Sequence, residues 1–411
     1  MKKSILLLIA ITFSLCFDSI GQDKEEKKFG IKVSGFVKSD FIFDTRQVVS
    51  ARDGHFLLYP KNVRLDRAGE DINAKSSFNY LSIQSRLTGK ISGPDAFGAK
   101  TSGVIEGAFF GHIESNINSF RLRHAFIKLN WKTTEFLFGQ YWHSMFVTQC
   151  FPGTVSFNTG TPFQFFSRNP QIRLTQKIGS ITISGMAATQ LDFVSPGGSK
   201  TLRNSLLPDL QGQISWSNSK LLIGATAGYK RLLPRLETDS LYKASSTIGG
   251  FTGQAFFKLT TSPITFKMQA TYLQNGFDGL AIGGYAVQSI TNPARDYRSY
   301  TTINTMSFWT DIHTNSKKLQ VGLFIGYSKN MGSNNEIEEM GLFGMYSRGK
   351  DIAHLYRVSP RIIINRGKIR VAAEIEHTGA AYGATIDTKG IPQDAETVIN
   401  NRVLVAVYYF F

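Results

Sequence analysis

The 411-residue sequence contains little cysteine and little charge. Of its two cysteines, only Cys150 lies beyond the N-terminal segment, so the rest of the chain can form neither an intramolecular disulfide nor a cysteine-based metal site. Charged residues make up 18% of the chain, whereas glycine and phenylalanine are abundant. The sequence also lacks a Walker-A glycine loop, a Gly-x-Ser-x-Gly elbow and a His-Glu-x-x-His motif, so it offers none of these enzyme signatures.

Long apolar runs are missing too, except at the N-terminus. Lys2 and Lys3 precede an apolar stretch, residues 5–17, that is shorter than the about 20 residues a transmembrane helix needs. A basic start, an apolar centre and small residues before a polar stretch are typical of a secretory signal peptide. We expect residues 1–22 to be this signal peptide and residues 23–30 to be a short N-terminal lead.

The chain is basic, with a formal net charge of +16. Such an excess is compatible with nucleic-acid binding. However, the basic residues are spread singly along strand-like segments and do not cluster on a helix or an arm. We therefore expect a basic channel lining or a basic loop surface, and no nucleic-acid partner.

Hydrophobic residues recur at every second position over most of the chain. Clear alternation occurs in residues 31–44, 81–91, 319–328, 356–364 and 369–375. Strands of a soluble β-sandwich also alternate, but they are usually about 5–6 residues long. The runs here reach the roughly 9–11 residues with which a tilted strand crosses a bilayer. Their repetition favours an all-β protein, a transmembrane antiparallel β-barrel, over a sandwich.

The connections between these runs are of two kinds, short turns and long polar loops. Outer-membrane barrels have short periplasmic turns and long extracellular loops. We expect residues 31–411 to form a barrel of about 16 strands, a size that leaves an aqueous channel. In a regular strand over residues 120–131, Arg121 and Arg123 would face the same side as Ile127 and Leu129. Because charged and apolar residues should face opposite sides, this segment requires a bulge or a rim position. The predicted strands are 31–44, 79–92, 99–113, 120–131, 135–141, 171–177, 181–191, 210–217, 220–230, 247–260, 264–275, 299–313, 318–328, 353–364, 368–379 and 402–411.

Charged residues on these strands identify the face that lines the lumen. An Arg or Lys on the lipid face costs about 2–4 kcal/mol at the bilayer midplane. We therefore expect the charged side chains of the alternating runs to face inward, namely those of Arg86, Lys90, Arg361, Arg370 and Glu374.

The last strand carries a further signal. Val403, Val405, Val407, Tyr409 and Phe411 fall on one face, and Phe411 is the final residue. This pattern resembles the C-terminal strand signal of outer-membrane proteins. We expect Tyr409 and Phe411 to act as the signal to the barrel-assembly machinery.

Several segments resemble the DcaP-like outer-membrane porins. The resemblance implies a trimeric 16-stranded porin that lets dicarboxylates and other small anions diffuse. The N-terminal coiled-coil stretch that members of this group often carry has no counterpart before the first predicted strand. The segments that carry the resemblance are FVKSDFIFD at 36–44, QSRL at 84–87, VIEG at 104–107, RLRHAF at 121–126, RNPQIR at 168–173 and SPR at 359–361.

A long segment, residues 142–170, follows the fifth predicted strand. In general porins the loop at this place folds inward and narrows the pore, and by this analogy we expect 142–170 to be the constriction loop. Arginines in a pore attract anions and can hold a carboxylate with two hydrogen bonds. Alternatively, these charges pair with one another across the lumen and stiffen the wall. The candidates for solute contact are Arg86, Glu106, Arg121, Arg123, Arg168, Arg173, Arg357, Arg361, Arg370 and Glu374.

These observations predict a porin in the outer membrane of a Gram-negative-type bacterium. We expect passive diffusion of small hydrophilic solutes, with a preference for anions such as dicarboxylates. A substrate-specific binding channel is one alternative, and a barrel enzyme or adhesin is another. The expected partners are outer-membrane lipid, the barrel-assembly machinery, small anionic solutes and two further copies in a homotrimer. No cofactor, catalytic residue or metal site is expected, although His112 and Glu114 could ligate a metal with one more partner.

Overall fold

The computed structural model describes residues 29–111, 114–338 and 344–411. The predicted signal peptide, most of the predicted lead, and His112 of the weak metal pair lie outside the described residues. The described part is almost entirely β-structure, with one short α-helix, α1 (Ser199–Asn204), and four single-turn 3-10 helices. Its strands are β1 (Gly30–Asp44), β2 (Val48–Ala51), β3 (Phe56–Pro60), β4 (Ser77–Leu81), β5 (Arg86–Ser92), β6 (Lys100–Phe109), β7 (Phe120–Asn130), β8 (Thr134–Trp142), β9 (Arg168–Ile178), β10 (Ile181–Ala188), β11 (Asp209–Ser217), β12 (Leu221–Leu232), β13 (Ile248–Thr260), β14 (Ile264–Gln274), β15 (Gly283–Asn292), β16 (Tyr297–Thr314), β17 (Leu319–Gly332), β18 (Tyr346–Arg348), β19 (Ile352–Arg366), β20 (Ile369–Tyr382), β21 (Thr385–Ile386), β22 (Pro392–Gln393) and β23 (Glu396–Phe410).

Sixteen antiparallel wall strands form a closed barrel, which confirms the predicted fold class. β1 closes the barrel by pairing with β23, from Phe36 opposite Phe410 to Asp44 opposite Arg402. Short turns join the wall strands at one rim and long loops join them at the other, as predicted. In order around the barrel, the wall consists of β1, β4 with β5, β6 to β14, β16, β17, β19, β20 and β23.

The second wall strand is interrupted, although the alternation predicted one unbroken strand over residues 79–92. A tight turn separates β4 from β5, in which the Ser85 N–H donates to the Ser82 carbonyl at 3.2 Å. The neighbouring backbone does not lose its partner, because the Lys38 N–H donates to the Ser85 hydroxyl at 3.0 Å. The Ser85 hydroxyl thus takes the place of one backbone acceptor between these neighbouring strands.

The parity of residues 120–131 required a bulge or a rim position, and the structure shows a bulge. Glu106 of β6 pairs with His124, and the next residue, Gly107, pairs with Leu122, so Arg123 is the extra residue in β7. A bulge shifts the alternation of the strand that carries it. Arg121 and Arg123 are therefore buried inside the barrel, while Ile127 is 57% exposed on the outside.

The two faces of the wall differ as the period-two pattern predicted. On β23, Val403, Val405 and Val407 are exposed on the outer face, whereas Arg402 and Leu404 are buried on the inner face. Exposed apolar side chains lie on the outer face of most other wall strands in the same way. Since no lipid-facing edge of the sheet is left open, the backbone is paired as a membrane barrel requires.

Loops fill much of the interior, where the strand count predicted an aqueous channel. The β2–β3 hairpin, which we call the inner hairpin, and residues 143–167, which we call the inward segment, place apolar side chains in the lumen. They pack against wall residues and against the loop before β15, so the middle of the barrel has a largely aromatic core. The buried members include Phe56, Leu58, Tyr59, Phe110, Phe146, Phe157, Phe163, Phe166, Leu280, Ile282, Trp309, Phe324, Leu355 and Tyr382.

Neither a membrane-spanning helix nor a metal cluster is found in the part of the chain that the structure describes. None of its helices is long and apolar enough to cross a membrane. It also contains no group of three or more His, Cys, Asp or Glu side chains that are placed to hold a metal ion.

Candidate channel interior

The inward segment crosses the lumen from one side of the barrel to the other. It leaves the wall at the end of β8, Trp142, and returns at the start of β9, Arg168. Near its midpoint, Val155 is buried against Leu404 and Tyr408 of β23 and other residues of the opposite wall. The structure therefore places the predicted loop 142–170 across the lumen.

Glu374 of β20 holds the far end of the inward segment. Its carboxylate accepts hydrogen bonds from the N–H groups of Val155, at 2.5 Å, and Ser156, at 2.7 Å. The Ser359 hydroxyl donates to the same carboxylate. The Lys38 ammonium group donates to the Val155 carbonyl at 3.2 Å. Because Glu374 is buried and already accepts several bonds, its contacts go to the protein itself.

Arg357 and Arg361 also contact the inward segment or its holders. Arg357 donates to the Thr161 carbonyl at 2.8 Å and lies 3.3 Å from Glu376. Arg361 pairs with Asp311 through two bonds, at 2.8 and 3.1 Å, and Asp311 accepts a bond from the Gly153 N–H at 3.2 Å. These two predicted site residues therefore fasten the segment to the wall in this structure.

The inner hairpin is fastened over the same side of the barrel. His55 lies 3.0 Å from Asp40, and Asp40 lies 2.8 Å from the ammonium group of Lys38. All three side chains are buried. At the end of the hairpin, the Tyr382 hydroxyl donates to the Pro60 carbonyl at 2.6 Å.

Four of the predicted arginines converge in one region of the lumen, and we call them the arginine cluster: Arg86, Arg121, Arg123 and Arg168. Arg123 donates to Glu106 at 2.8 Å, and the Arg86 Nε lies 3.6 Å from the same carboxylate. The structure thus brings five of the ten candidates, these arginines and Glu106, to one region of the lumen.

Asp192, in the loop after β10, is the second carboxylate of this region. Arg168 donates to it from Nε at 2.9 Å, with Nη2 at 2.8 Å, and Arg121 donates to its other oxygen. Burial disfavours ionisation, but the positive charges of Arg168 and Arg121 outweigh it and lower the pKa of Asp192 to about 2. Asp192 is therefore a carboxylate at neutral pH and holds two arginines together.

Arg173 and Arg370 lie apart from the cluster, towards the rim with the short turns. Arg173 donates to the Trp142 carbonyl at 2.6 Å and lines a cavity of about 550 Å³ beneath the inward segment. Arg370 donates to the Asn365 side chain at 2.8 Å and lines a separate cavity of about 180 Å³. Both residues face open space, unlike Arg357.

Sequence reasoning missed several charged residues of the interior. Lys38 lies on the polar face of the first predicted strand, so its inward direction was readable from the alternation. Asp311 lies within a predicted strand, but its pairing with Arg361 needs residues 50 positions apart. Asp192 lies in a long loop that has no periodicity, and no sequence signal points to it.

The predicted assembly residues lie on the outer face of the last strand. Tyr409 is 54% exposed and Phe411 is 47% exposed. The Phe411 backbone pairs with Gly35 in both directions, at 3.2 Å each, so the end of the chain is fixed against β1.

The barrel is similar to solved structures of outer-membrane proteins. The outer membrane channel DcaP of Acinetobacter baumannii has a TM-score of 0.69 and 16% sequence identity, over 93% of this chain and 97% of that chain. A trimer form of OmpT, an outer membrane protein of Vibrio cholerae, has a TM-score of 0.53 and 11% identity, over 94% and 100%. OprB of Pseudomonas putida has a TM-score of 0.50 and 9% identity, over 92% and 94%.

At these identities the likeness shows the fold, which is that of an outer-membrane channel. For the fold, it confirms the resemblance to DcaP-like porins that the sequence segments predicted. No protein-family model and no curated protein matches the sequence.

Proposed function

We propose that this chain is a passive channel of the outer membrane of a Gram-negative-type bacterium, and that it conducts small anions better than small cations. Three features support the membrane setting: the closed wall, its apolar outer face and the channel fold. The preference for anions is supported chiefly by one observation, the arginine cluster on the luminal wall beside the inward segment.

The physical reason for the preference is the local charge. Four guanidinium groups of the arginine cluster form their ion pairs, among the described residues, with two carboxylates, Glu106 and Asp192. Fixed positive charge in a narrow, water-poor passage attracts anions and repels cations. We expect dicarboxylates to be among the conducted solutes, since guanidinium groups bind carboxylates with two hydrogen bonds.

The inward segment acts as the constriction in this proposal. Its support is its path across the lumen and its attachment to Glu374 and Arg357 on the far wall. A homotrimer is supported by the resemblance to DcaP-like porins and by the trimer form of a structurally similar protein. Secretion through the signal peptide and assembly through Tyr409 and Phe411 complete the proposal.

Planar-bilayer recording of the purified mature chain tests this function. In a salt gradient, the reversal potential is expected at an anion-selective value, and Arg123→Gln should move it towards zero. Arg203→Gln is the matched control, because Arg203 is an exposed arginine on α1, remote from the cluster in the sequence. A cation-selective wild-type channel, or no conductance at any voltage, contradicts the proposal.

A substrate-specific binding channel is the second candidate, and one observation favours it. The inner hairpin and the inward segment pack the middle of the lumen with buried aromatic side chains. A passage this narrow selects among solutes by direct contact. Uptake of a dicarboxylate that saturates with concentration would favour the specific channel, whereas uptake proportional to concentration would favour simple diffusion.

A further inference from the structure

Buried positive charge is incompletely balanced in the arginine cluster. Arg121, Arg123 and Arg168 are 7%, 3% and 3% exposed, so water solvates their guanidinium groups little. In the described part of the chain their carboxylate partners are Glu106 and Asp192, and Glu106 is shared with Arg86. A buried charge without a counter-charge is costly, and an anion that enters lowers this cost.

Two N–H groups of the cluster support the same conclusion. Within the described residues, the Arg121 Nε and the Arg168 Nη1 have no hydrogen-bond partner, although both atoms are buried. Asp192 contacts other nitrogens of these two side chains. These two N–H groups are therefore available to another acceptor. An unsatisfied buried donor costs about 1–3 kcal/mol, more for a charged group, so an acceptor beside them is stabilising.

A small cavity is lined by three arginines of the cluster. Arg121, Arg123 and Arg168 line it together with Phe110 and Phe157 and with neighbouring residues. Its volume is about 10 Å³, which accommodates roughly one water-sized group. The phenyl rings limit the entry of water, and electrostatic attraction inside the cavity is stronger than in bulk solvent for that reason.

We propose that this cavity is a binding site for one small anion, either a halide ion or one carboxylate oxygen of a small acid, which accepts hydrogen bonds from Arg121 and Arg168. The inference deepens the proposed function and rests on it in one respect: the bound anion marks a resting point on the anion path. A water molecule would satisfy the N–H groups but would leave the charge unbalanced, and a cation is repelled.

The direct test is a crystal of the detergent-purified mature chain grown in sodium bromide. An anomalous bromide peak is expected within hydrogen-bond distance of both Arg121 and Arg168. A second crystal grown in sodium bromide with excess sodium acetate distinguishes the two anion types. Loss of the peak with new density in acetate assigns the site to carboxylates as well, and an unchanged peak assigns it to halides; both results support a small-anion site.

Variants supply the control. Arg121→Gln removes one charge and the free N–H, and the bromide peak should disappear or fall severalfold in occupancy. Arg203→Gln, on the exposed helix α1, should leave the peak unchanged. No peak in the wild-type crystal, or an equal peak in Arg121→Gln, overturns the inference. The wild-type crystal decides even if Arg121→Gln does not fold.

The two proposals fail in different ways. A wild-type channel that is anion-selective in a bilayer but shows no bromide between the arginines overturns this binding site alone. A bromide peak in a channel that is cation-selective overturns the proposed function and leaves the site in place.

Discussion

Glu374, a residue of the wall, holds the inward segment through its single carboxylate. The N–H groups of Val155 and Ser156 both donate to the same oxygen, and a typical intramolecular hydrogen bond contributes about 0.5–1.5 kcal/mol. Glu374→Gln keeps the side-chain shape but replaces one of the two acceptor oxygens by an amide donor. The segment should loosen, and the single-channel conductance and its noise should increase.

Single-channel recording measures this effect. Glu396→Gln is the control, because Glu396 is an exposed residue of β23. If Glu374→Gln and the wild type have the same conductance and noise, the carboxylate does not hold the segment in the functioning channel.

Asp192 should make the stability of the barrel sensitive to acid. Its pKa is about 2 in the folded chain, where burial is outweighed by the charges of Arg168 and Arg121, whereas an unfolded aspartate has a pKa of about 4. Its contribution, about 2–3 kcal/mol, is complete above about pH 4 and is lost as the pH falls towards 2.

Urea unfolding in detergent micelles at pH 6, 4, 3 and 2 tests this expectation. The free energy of unfolding should fall less steeply below pH 4 in Asp192→Asn than in the wild type. Asp95→Asn, at an exposed aspartate, should follow the wild type. An identical pH dependence in Asp192→Asn and the wild type would contradict the assignment.

At the scale of elements, the inner hairpin limits access to the lumen. Its strand β3 inserts Phe56, Leu58 and Tyr59 into the aromatic core instead of extending outward. Replacement of residues 48–60 by a short Gly/Ser linker should leave the wall intact, since neither strand belongs to the barrel sheet. The conductance should rise severalfold because apolar volume leaves the passage.

The matched control shortens a different long loop, residues 237–242, where Leu241 is 81% exposed. Conductance of this control should equal that of the wild type. If removal of the inner hairpin leaves the conductance unchanged, the hairpin does not lie on the conduction path.

The last strand carries the predicted assembly signal on its outer face. The Phe411 side chain is half exposed, while its backbone bonds to Gly35 do not depend on the side chain. Phe411→Ser should therefore lower the amount of assembled protein in the outer membrane severalfold with little loss of stability after refolding. Phe29→Ser, at an exposed residue before β1, is the control, and equal outer-membrane levels in both variants would refute the signal.

At the scale of the whole molecule, the net charge of +16 should make the selectivity depend on salt. Charges that are exposed to solvent are screened beyond about 10 Å at 0.1 M salt and about 3 Å at 1 M. Reversal potentials at the same concentration ratio should be more anion-selective around 0.1 M than around 1 M. A selectivity that does not change over this range would assign it to the buried arginine cluster alone.

The alternation of side chains determined the barrel without any tertiary information. Period two, runs of membrane-crossing length and charged residues restricted to one face specify strands, their number and their inward face, because lipid penalises charge and unpaired backbone. Even the irregularity in β7 was readable, as a bulge or a rim position, since the parity of the strand breaks there. The break between β4 and β5 was not, because it depends on a hydroxyl of Ser85 meeting a neighbouring strand.

Only the tertiary structure decided what the interior contains. Glu374 meets Val155 and Ser156, 219 and 218 positions away, and Asp192 meets Arg121, 71 positions away. The local sequence gives no signal for such partners. The path of the loops that fold into the lumen determines these contacts, and the period of a strand does not. The sequence thus determined the wall and the direction of its charges, and the inward loops decided which of those charges are fastened to the protein and which face a cavity.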